Sequence, residues 1–401
     1  MSKKKLFILS TFSGPLDGIL NNRFVYLANY LSEEFEVDLI TTNFYHSKKE
    51  EIKVPKIFSN FKLTIFDVPS YNSNISIKRL WSHFRFALKV RVYFKKNTTL
   101  DSVVYCAFPP ISVAVLAYAA TKDRKRFVLD IQDLWPEVFY SSLKFRFANI
   151  FFLPHLLMVK YLASKVQNLV AVSKTYEDHF IKHGFDGDNK SVVYIGVDND
   201  QLDLIQSTRD SSLHERRNEE VKFIYAGTLG HSYNLNHFIR CFAIAQAQVP
   251  SKRLVLTILG TGPLETNLKK LSDELPVEIN FKGRVTYQEV MQELLVSDVA
   301  VNSIAPGMQQ SIINKHGDYT LMGLPILSTQ DNREFRDLVD EHRIGINIDP
   351  ENEEELIQGI KLLAIDRKMR NEMARNSKIV GQKYFNRTQS YRAIKEFINA
   401  I

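Results

Sequence analysis

The sequence predicts two consecutive α/β domains, each a parallel sheet doubly wound with helices. Three observations predict this. Short runs rich in Val, Ile, Leu and Phe recur along the 401 residues, and continuous apolar runs mark strands buried on both faces. Stretches of helical spacing separate most of the runs, as βαβ units require. The alternation stops once, at the polar segment Gln206–Glu220, and then restarts.

In chain order, the first strand is Lys5–Ser10 (KLFILS), followed by a helix over Ile19–Glu34. Further strands are expected at Glu36–Thr42, Lys62–Phe66, Ser102–Phe108, Phe127–Ile131, Asn168–Ser173 and Ser191–Ile195. The polar segment lacks large apolar runs and reads as a linker. Beyond it come Val221–Ala226, Arg253–Leu259, Val277–Phe281, Asp298–Ser303, Pro325–Ser328 and Ile344–Ile348. Thr286 and Glu289 form a capping box opening a helix over Tyr287–Val296, and Thr388–Ile401 reads as an amphipathic helix. The expected domains are residues 1–204 and 221–385, joined by a linker at 205–220, with the helix of residues 386–401 packing back on the first domain. Two such domains face each other across a cleft, with ligands at the carboxyl ends of the strands.

Composition is that of a globular protein, 45% apolar and 24% charged. Cys106 and Cys241 are the only cysteines, which excludes a disulfide framework or a four-cysteine zinc module and fits a reducing, cytoplasmic location. The most lipid-like stretch, Ile150–Met158, is broken by Pro154 and His155 and is far short of the ~20 residues of a spanning helix. The net charge is +7, unevenly placed: residues 1–200 hold 27 Lys+Arg against 19 Asp+Glu, and residues 201–401 hold 25 against 26. An anionic partner for the first half is expected.

Several loops are placed to carry chemistry. Gly14 and Gly18 lie between the first strand and helix, where backbone can approach a ligand. Ala226–His231 and Gly260–Pro263 follow adjacent strands and converge in this fold, bringing Gly227, Thr228, Gly230, His231 and Gly262 together. The segment Gln310–Thr329 leads into a helix from about Ile313, an anion site to which Asn314 and Lys315 belong. Asp318, one turn on, suits a ribose diol, and Gly323–Pro325 ends the helix. Asp130, Gln132, Asp133, Trp135 and Glu137 end a first-domain strand and suit contacts to sugar hydroxyls. The D-x-D pairs at Asp186 and Asp198 read as solvated turns, and no metal site is expected.

Taken together these residues resemble family-four glycosyltransferases of the GT-B fold, in the branch serving capsule, O-antigen and exopolysaccharide synthesis. Asp130–Glu137 is similar to a D-x-R-D-L-W-P-E segment, with Gln132 in place of Arg. Asn314-Lys315-x-x-Asp318-Tyr319-x-x-x-Gly323-x-Pro325 resembles a K-x-x-E-Y-x-x-x-G-x-P signature. The E-x7-E pair falls on Gln310 and Asp318. The resemblance implies retaining, metal-independent transfer of a hexosyl or N-acetylhexosaminyl group from a nucleotide diphosphate, UDP-linked. Asp318 then holds the ribose, Gln310 and Ser311 the donor sugar, and Ile313–Lys315 with His231 the diphosphate. Gln132 and Asp133 orient the acceptor hydroxyl. No further cofactor is implied.

Ile75–Asn97 carries seven Lys/Arg and no acid. At helical spacing Ile77, Trp81, Phe84, Leu88 and Val92 form a stripe flanked by Lys78, Arg85, Lys89 and Lys96, the pattern of an interfacial helix on anionic lipid; a core helix with a solvated basic face fits the same pattern. Ser141–Lys165 offers a second such stretch. A lipid-diphosphate-linked saccharide on the inner face of a bacterial cell membrane explains both. A nucleotide-sugar 2-epimerase shares the fold but needs no lipid acceptor. A nucleic-acid binder is disfavoured, because no recognition motif is present.

Overall fold

The computed structural model describes residues 3–14, 22–46, 48–52, 60–73, 76–134, 148–198, 219–308 and 311–401, the side chains of residues 148–152 excepted. The expected linker at 205–220 therefore lies almost wholly outside the described residues, as do Gly18, Gln310, Trp135 and Glu137. The chain forms two compact units: Met1–Tyr194 with Tyr391–Ile401, and Ile195–Ser390.

Unit 1 contains β1 (Lys4–Leu9), α1 (Arg23–Leu31), β2 (Phe35–Thr42), the ribbon β3 (Phe44–Tyr45) and β4 (Glu50–Glu51), β5 (Lys62–Phe66), α2 (Ile77–Asn97), β6 (Val103–Phe108), α3 (Ile111–Ala120), β7 (Phe127–Ile131), α4 (Ala148–Ala163), β8 (Asn168–Ala171), α5 (Lys174–Lys182) and β9 (Asn189–Val192). Seven strands form one sheet in the order β5-β2-β1-β6-β7-β8-β9, parallel throughout. Strand order reverses between β1 and β6, so the crevice for ligands opens beyond their carboxyl ends. β6 and β7 are buried at every position, which is why their sequences run apolar without alternation.

Unit 2 contains β10 (Glu220–Ala226), α6 (Leu235–Gln248), β11 (Arg253–Leu259), α7 (Glu265–Asp273), β12 (Glu278–Gly283), α8 (Tyr287–Leu295), β13 (Val299–Asn302), α9 (Asn314–Leu321), β14 (Ile326–Ser328), α10 (Arg333–His342), β15 (Gly345–Asn347), α11 (Glu353–Ile365) and α12 (Arg367–Val380). Its parallel sheet runs β12-β11-β10-β13-β14-β15, with the switch point between β10 and β13. The Thr286–Glu289 capping box is formed. Ile195–Asp198 belongs to this unit, where Val197 N–H donates to Phe385 O (2.7 Å) and Arg387 Nε to Ile195 O (3.0 Å).

The carboxyl end is not the single helix expected. It breaks into a short turn of helix, Arg387–Ser390, in unit 2 and α13 (Arg392–Asn399) in unit 1. α13 buries Ile394 and Ile398 beside Leu6, Ile8 and Leu27, and Lys395 Nζ lies 2.6 Å from Glu34. No described helix is long and apolar enough to cross a membrane.

Candidate active site

The site in unit 2 grows from its switch point. The loops after β10 and β11 touch along their backbones: Leu229 N–H donates to Thr261 O (3.1 Å) and Leu264 N–H to Leu229 O (3.0 Å). Such contact requires glycine. A Cβ on Gly260, at φ +127°, would stand 1.9 Å from Gly227 O, and one on Gly262 would stand 2.4 Å from Leu229 O. Gly262 thus serves the approach of one loop to the other. Gly230 has room for a Cβ, and Thr228 and His231 are exposed beside it.

Beyond β13, α9 presents its amino end at the same edge. Ile313 N–H is already taken by His316 Nδ1 at 3.3 Å, a correction to its expected role as an anion donor. The next N–H groups, on Asn314 and Lys315, lie in the first turn and lack intrahelical acceptors. Lys315 is only 8% exposed. Its Nζ has no hydrogen-bond partner among the described residues and sits 4.6 Å from the ring centres of both Tyr225 and Tyr233. Burial pulls its pKa down to about 7, so it is half-charged near neutrality rather than the plain cation expected. Tyr225 donates to Thr228 O (2.9 Å), fixing one wall of this aromatic cage. His316 stacks on Phe335 with centroids 3.8 Å apart; burial, then Lys315, hold it neutral.

Asp318 is half-buried, and Tyr287 donates to its Oδ1 at 2.7 Å. Burial pushes its carboxyl up to about 6, against the pull of Tyr287 and Arg387, leaving it mostly ionised at neutral pH. Ser311 is fully buried and donates to Glu334 Oε2 (3.0 Å), while Ser311 O accepts from Gln330 Nε2 (2.8 Å). Its hydroxyl is therefore committed to the protein rather than aimed at a sugar. Sequence reasoning missed Glu334, Tyr287 and Arg387. Each comes from an element remote in sequence, and no local pattern marks it.

Residues 20–201 match the family described as Glycosyltransferase Family 4, and residues 207–380 match Glycosyl transferases group 1. The chain is a glycosyltransferase of the family-four type. Its fold is GT-B. Anabaena Alr3699/HepE, solved in complex with UDP, is 17% identical with a TM-score of 0.67, covering 99% of this chain and 100% of that one. Sucrose-phosphate synthase from Thermosynechococcus elongatus is 12% identical with a TM-score of 0.70, covering 99% of each chain. WaaG, a glycosyltransferase involved in lipopolysaccharide biosynthesis, is 12% identical with a TM-score of 0.64, covering 98% of this chain and 99% of that one. No curated protein matches it in sequence.

In unit 1 of this glycosyltransferase, the end of β7 and the residues just after it divide their acids between two tasks. Asp130, expected to meet sugar hydroxyls, is instead fully buried in a two-pronged ion pair with Arg23, both contacts at 3.2 Å. Gln132 is half-buried, close enough to Asp130 to favour its charged form. Asp133 is half-buried at the strand's end, accepts from Leu134 N–H (2.8 Å), and lies near enough to Arg79 to favour its charged form. Among the described residues one cluster has metal-ligand chemistry: His237, Cys241 and Glu353, with donor atoms within 4.8 Å of one another on α6 and α11. In the metal-free protein, burial and Glu353 push the Cys241 thiol up to about 12.

Proposed function

We propose that this glycosyltransferase transfers a hexosyl or N-acetylhexosaminyl group, with retention, from a UDP-sugar to a lipid-diphosphate-linked saccharide, in bacterial surface-polysaccharide synthesis at an anionic membrane face. The observation that carries the donor half is Lys315, a buried amine with no counter-charge among the described residues, at the amino end of α9 and the switch point of the sheet. A diphosphate is the counter-ion it lacks. As the glycosidic bond to phosphate breaks, charge develops on the leaving oxygen, and the Asn314 and Lys315 N–H groups, the helix dipole and the Lys315 ammonium stabilise it without rearrangement. Asp318, held by Tyr287, accepts from the ribose diol. Alr3699/HepE has been solved with UDP and with UDP-glucose, which supports uridine as the base. The proposed mechanism calls on no metal.

A thermal-shift comparison of UDP, GDP and TDP tests the donor assignment. A ligand bound only by the folded state adds about 2.7 kcal/mol at a hundredfold excess over its Kd, so UDP is expected to raise Tm by several degrees. Asp318→Asn is expected to remove most of that rise. Equal shifts from all three nucleotides would refute the uridine assignment.

The acceptor half rests on α2. Its inner face packs Phe86, Ala87, Val90 and Phe94 into the core, while Ile77, Trp81, Phe84, Leu88 and Val92 stand on the surface, Ile77 85% and Trp81 51% exposed. The stripe is therefore the outer face and not the core face, with Lys78 and Arg85 exposed beside it. On α4, Leu153, Leu157 and Tyr161 form a second exposed apolar row. Basic residues near an anionic leaflet contribute about 1 kcal/mol each. Replacing Lys78, Arg85 and Lys89 by Glu is expected to weaken sedimentation with phosphatidylglycerol vesicles by at least about a hundredfold. Unchanged sedimentation would sink the membrane assignment.

A further inference from the structure

We propose that His237 and Cys241 of α6 and Glu353 of α11 form a zinc site that clamps the two helices together. The ion has a structural task and takes no part in sugar transfer. The inference is independent of which donor and acceptor the enzyme uses.

The sheet brings the three ligands together. α6 follows β10 and α11 follows β15, so both helices start at the carboxyl edge of the sheet in unit 2. They run side by side in the same direction. Phe238, Phe242 and Ala245 of α6 share one core with Leu356, Ile357 and Ile360 of α11. Further along both, Lys361 Nζ donates to Gln248 Oε1 at 2.9 Å. This alignment sets the first turn of α11 against the first two turns of α6. His237 and Cys241 are four residues apart on α6 and therefore share a face. Cys241 Sγ is 3.8 Å from His237 Nε2 and 4.0 Å from Nδ1. With a carboxylate oxygen of Glu353, the three ligand atoms all lie within 4.8 Å of one another. Sequence spacing does not mark the site, because Glu353 comes from a helix remote in the chain.

The donor set selects the metal. Sulfur, imidazole and carboxylate together suit zinc, whereas magnesium and calcium take oxygen ligands. Tetrahedral zinc separates a sulfur and a nitrogen ligand by about 3.6 Å, close to the 3.8 Å found here. Glu353 has to move inward by about 1 Å to complete the set. Its side chain is exposed and makes no hydrogen bond or ion pair among the described residues, so nothing opposes that movement. A thiol hydrogen bond to His237 would account for two of the three groups, but it leaves the carboxylate beside the sulfur unexplained. On ligation the Cys241 S–H bond breaks, its electron pair forms the bond to zinc, and the proton passes to the buffer. One thiolate and one carboxylate then neutralise the dication, and His237 ligates as neutral imidazole. Cys241 is fully buried, His237 half-buried and Glu353 exposed, so the ion enters from the solvent side and water fills the fourth position. The amino end of α11 opposes a cation, and Glu353, Glu354 and Glu355 in its first turn offset that field. His237 follows Tyr233, a wall of the Lys315 cage, by four residues, so the clamp steadies the start of the helix that the cage loop feeds.

Cobalt and zinc are the probes, added to the untagged full chain after EDTA treatment under reducing conditions. One equivalent of Co2+ is expected to give a thiolate-to-cobalt charge-transfer band with the visible bands of a four-coordinate site, and Zn2+ to bleach both. Zn2+ at about a hundredfold excess over its Kd is expected to raise Tm by several degrees. Cys241→Ser is expected to abolish the charge-transfer band, and Cys106→Ala to retain it. His237→Gln and Glu353→Gln are each expected to weaken zinc binding at least tenfold. Both lie at positions open to solvent, and they keep the test decisive where Cys241→Ser fails to fold. A wild type without the charge-transfer band, or zinc affinity unchanged in either His237→Gln or Glu353→Gln, would overturn the site. The readout needs no sugar transfer, so a missing zinc site and a failed transfer assay are separate results.

Discussion

Lys315→Met is expected to reduce sugar transfer by at least about a hundredfold, the cost of removing one group that stabilises developing negative charge, while making the ligand-free protein more stable. The two effects share one cause. Burial holds the folded-state pKa at about 7, against about 10.4 for an unfolded lysine. Between those values the unfolded chain binds more protons than the folded one, so folding stability rises with pH from about 7 to about 10. Below pH 7 the folded protein carries the full penalty of a buried ammonium, on the order of a few kcal/mol after the two tyrosine rings offset part of it. Methionine has similar length and no charge, and lifts that penalty. Nucleotide binding has the opposite dependence. A diphosphate binds the ammonium, so above pH 7 binding must take up a proton and UDP affinity is expected to fall by up to about tenfold per pH unit. Titrations at pH 7, 8 and 9 on the wild type and Lys315→Met check this. An identical pH profile in the two proteins would show that Lys315 does not meet the diphosphate.

The caged state of this lysine was not legible in the sequence, although its position was. The Asn314–Pro325 motif and the strand before it mark a helix amino end at a sheet edge, and α9 begins there. Tyr225 and Tyr233 come from the neighbouring β10 and the loop after it, and nothing local pairs them with Lys315. Ser311 teaches the same lesson, since its partner Glu334 lies 23 residues on. Strands were readable because double burial demands continuous apolar runs, and Lys62–Phe66, Phe127–Ile131 and Arg253–Leu259 have the bounds expected. The last helix was misread because periodicity over Thr388–Ile401 is continuous, while the chain passes between units at Tyr391. On α2 the apolar stripe was readable, but not which face is core. That depends on Phe86, Val90 and Phe94 packing against α3 and the sheet, a long-range fact.

Asp130→Ala is expected to destabilise unit 1 by about 3–5 kcal/mol, because it leaves Arg23 buried without its counter-charge. Arg23 is 4% exposed and joins three distant segments. It pairs with Asp130 at the end of β7, donates from Nη1 to Tyr391 OH at 3.0 Å, and stands 5.0 Å from the centre of the Tyr391 ring. Tyr391 is the residue at which the chain re-enters unit 1, and the side chain is fully buried. Loss of the carboxylate should therefore loosen α13 as well as α1. At about 2–4 °C per kcal/mol for a body of this size, the melting transition of unit 1 is expected to fall by roughly 6–20 °C, with amide exchange in Arg392–Asn399 accelerating together with it. Reversing the burden rather than halving it gives the contrasting result. The double variant Arg23→Met with Asp130→Leu removes both charges, and apolar replacement of a buried pair is often neutral or stabilising. It should recover most of the lost stability without the Tyr391 contact. If Asp130→Ala alone melts within about 1 kcal/mol of the wild type, the pair is not what ties the returning helix to unit 1. The apolar seam of Ile394 and Ile398 against Leu6, Ile8 and Leu27 would then hold it unaided.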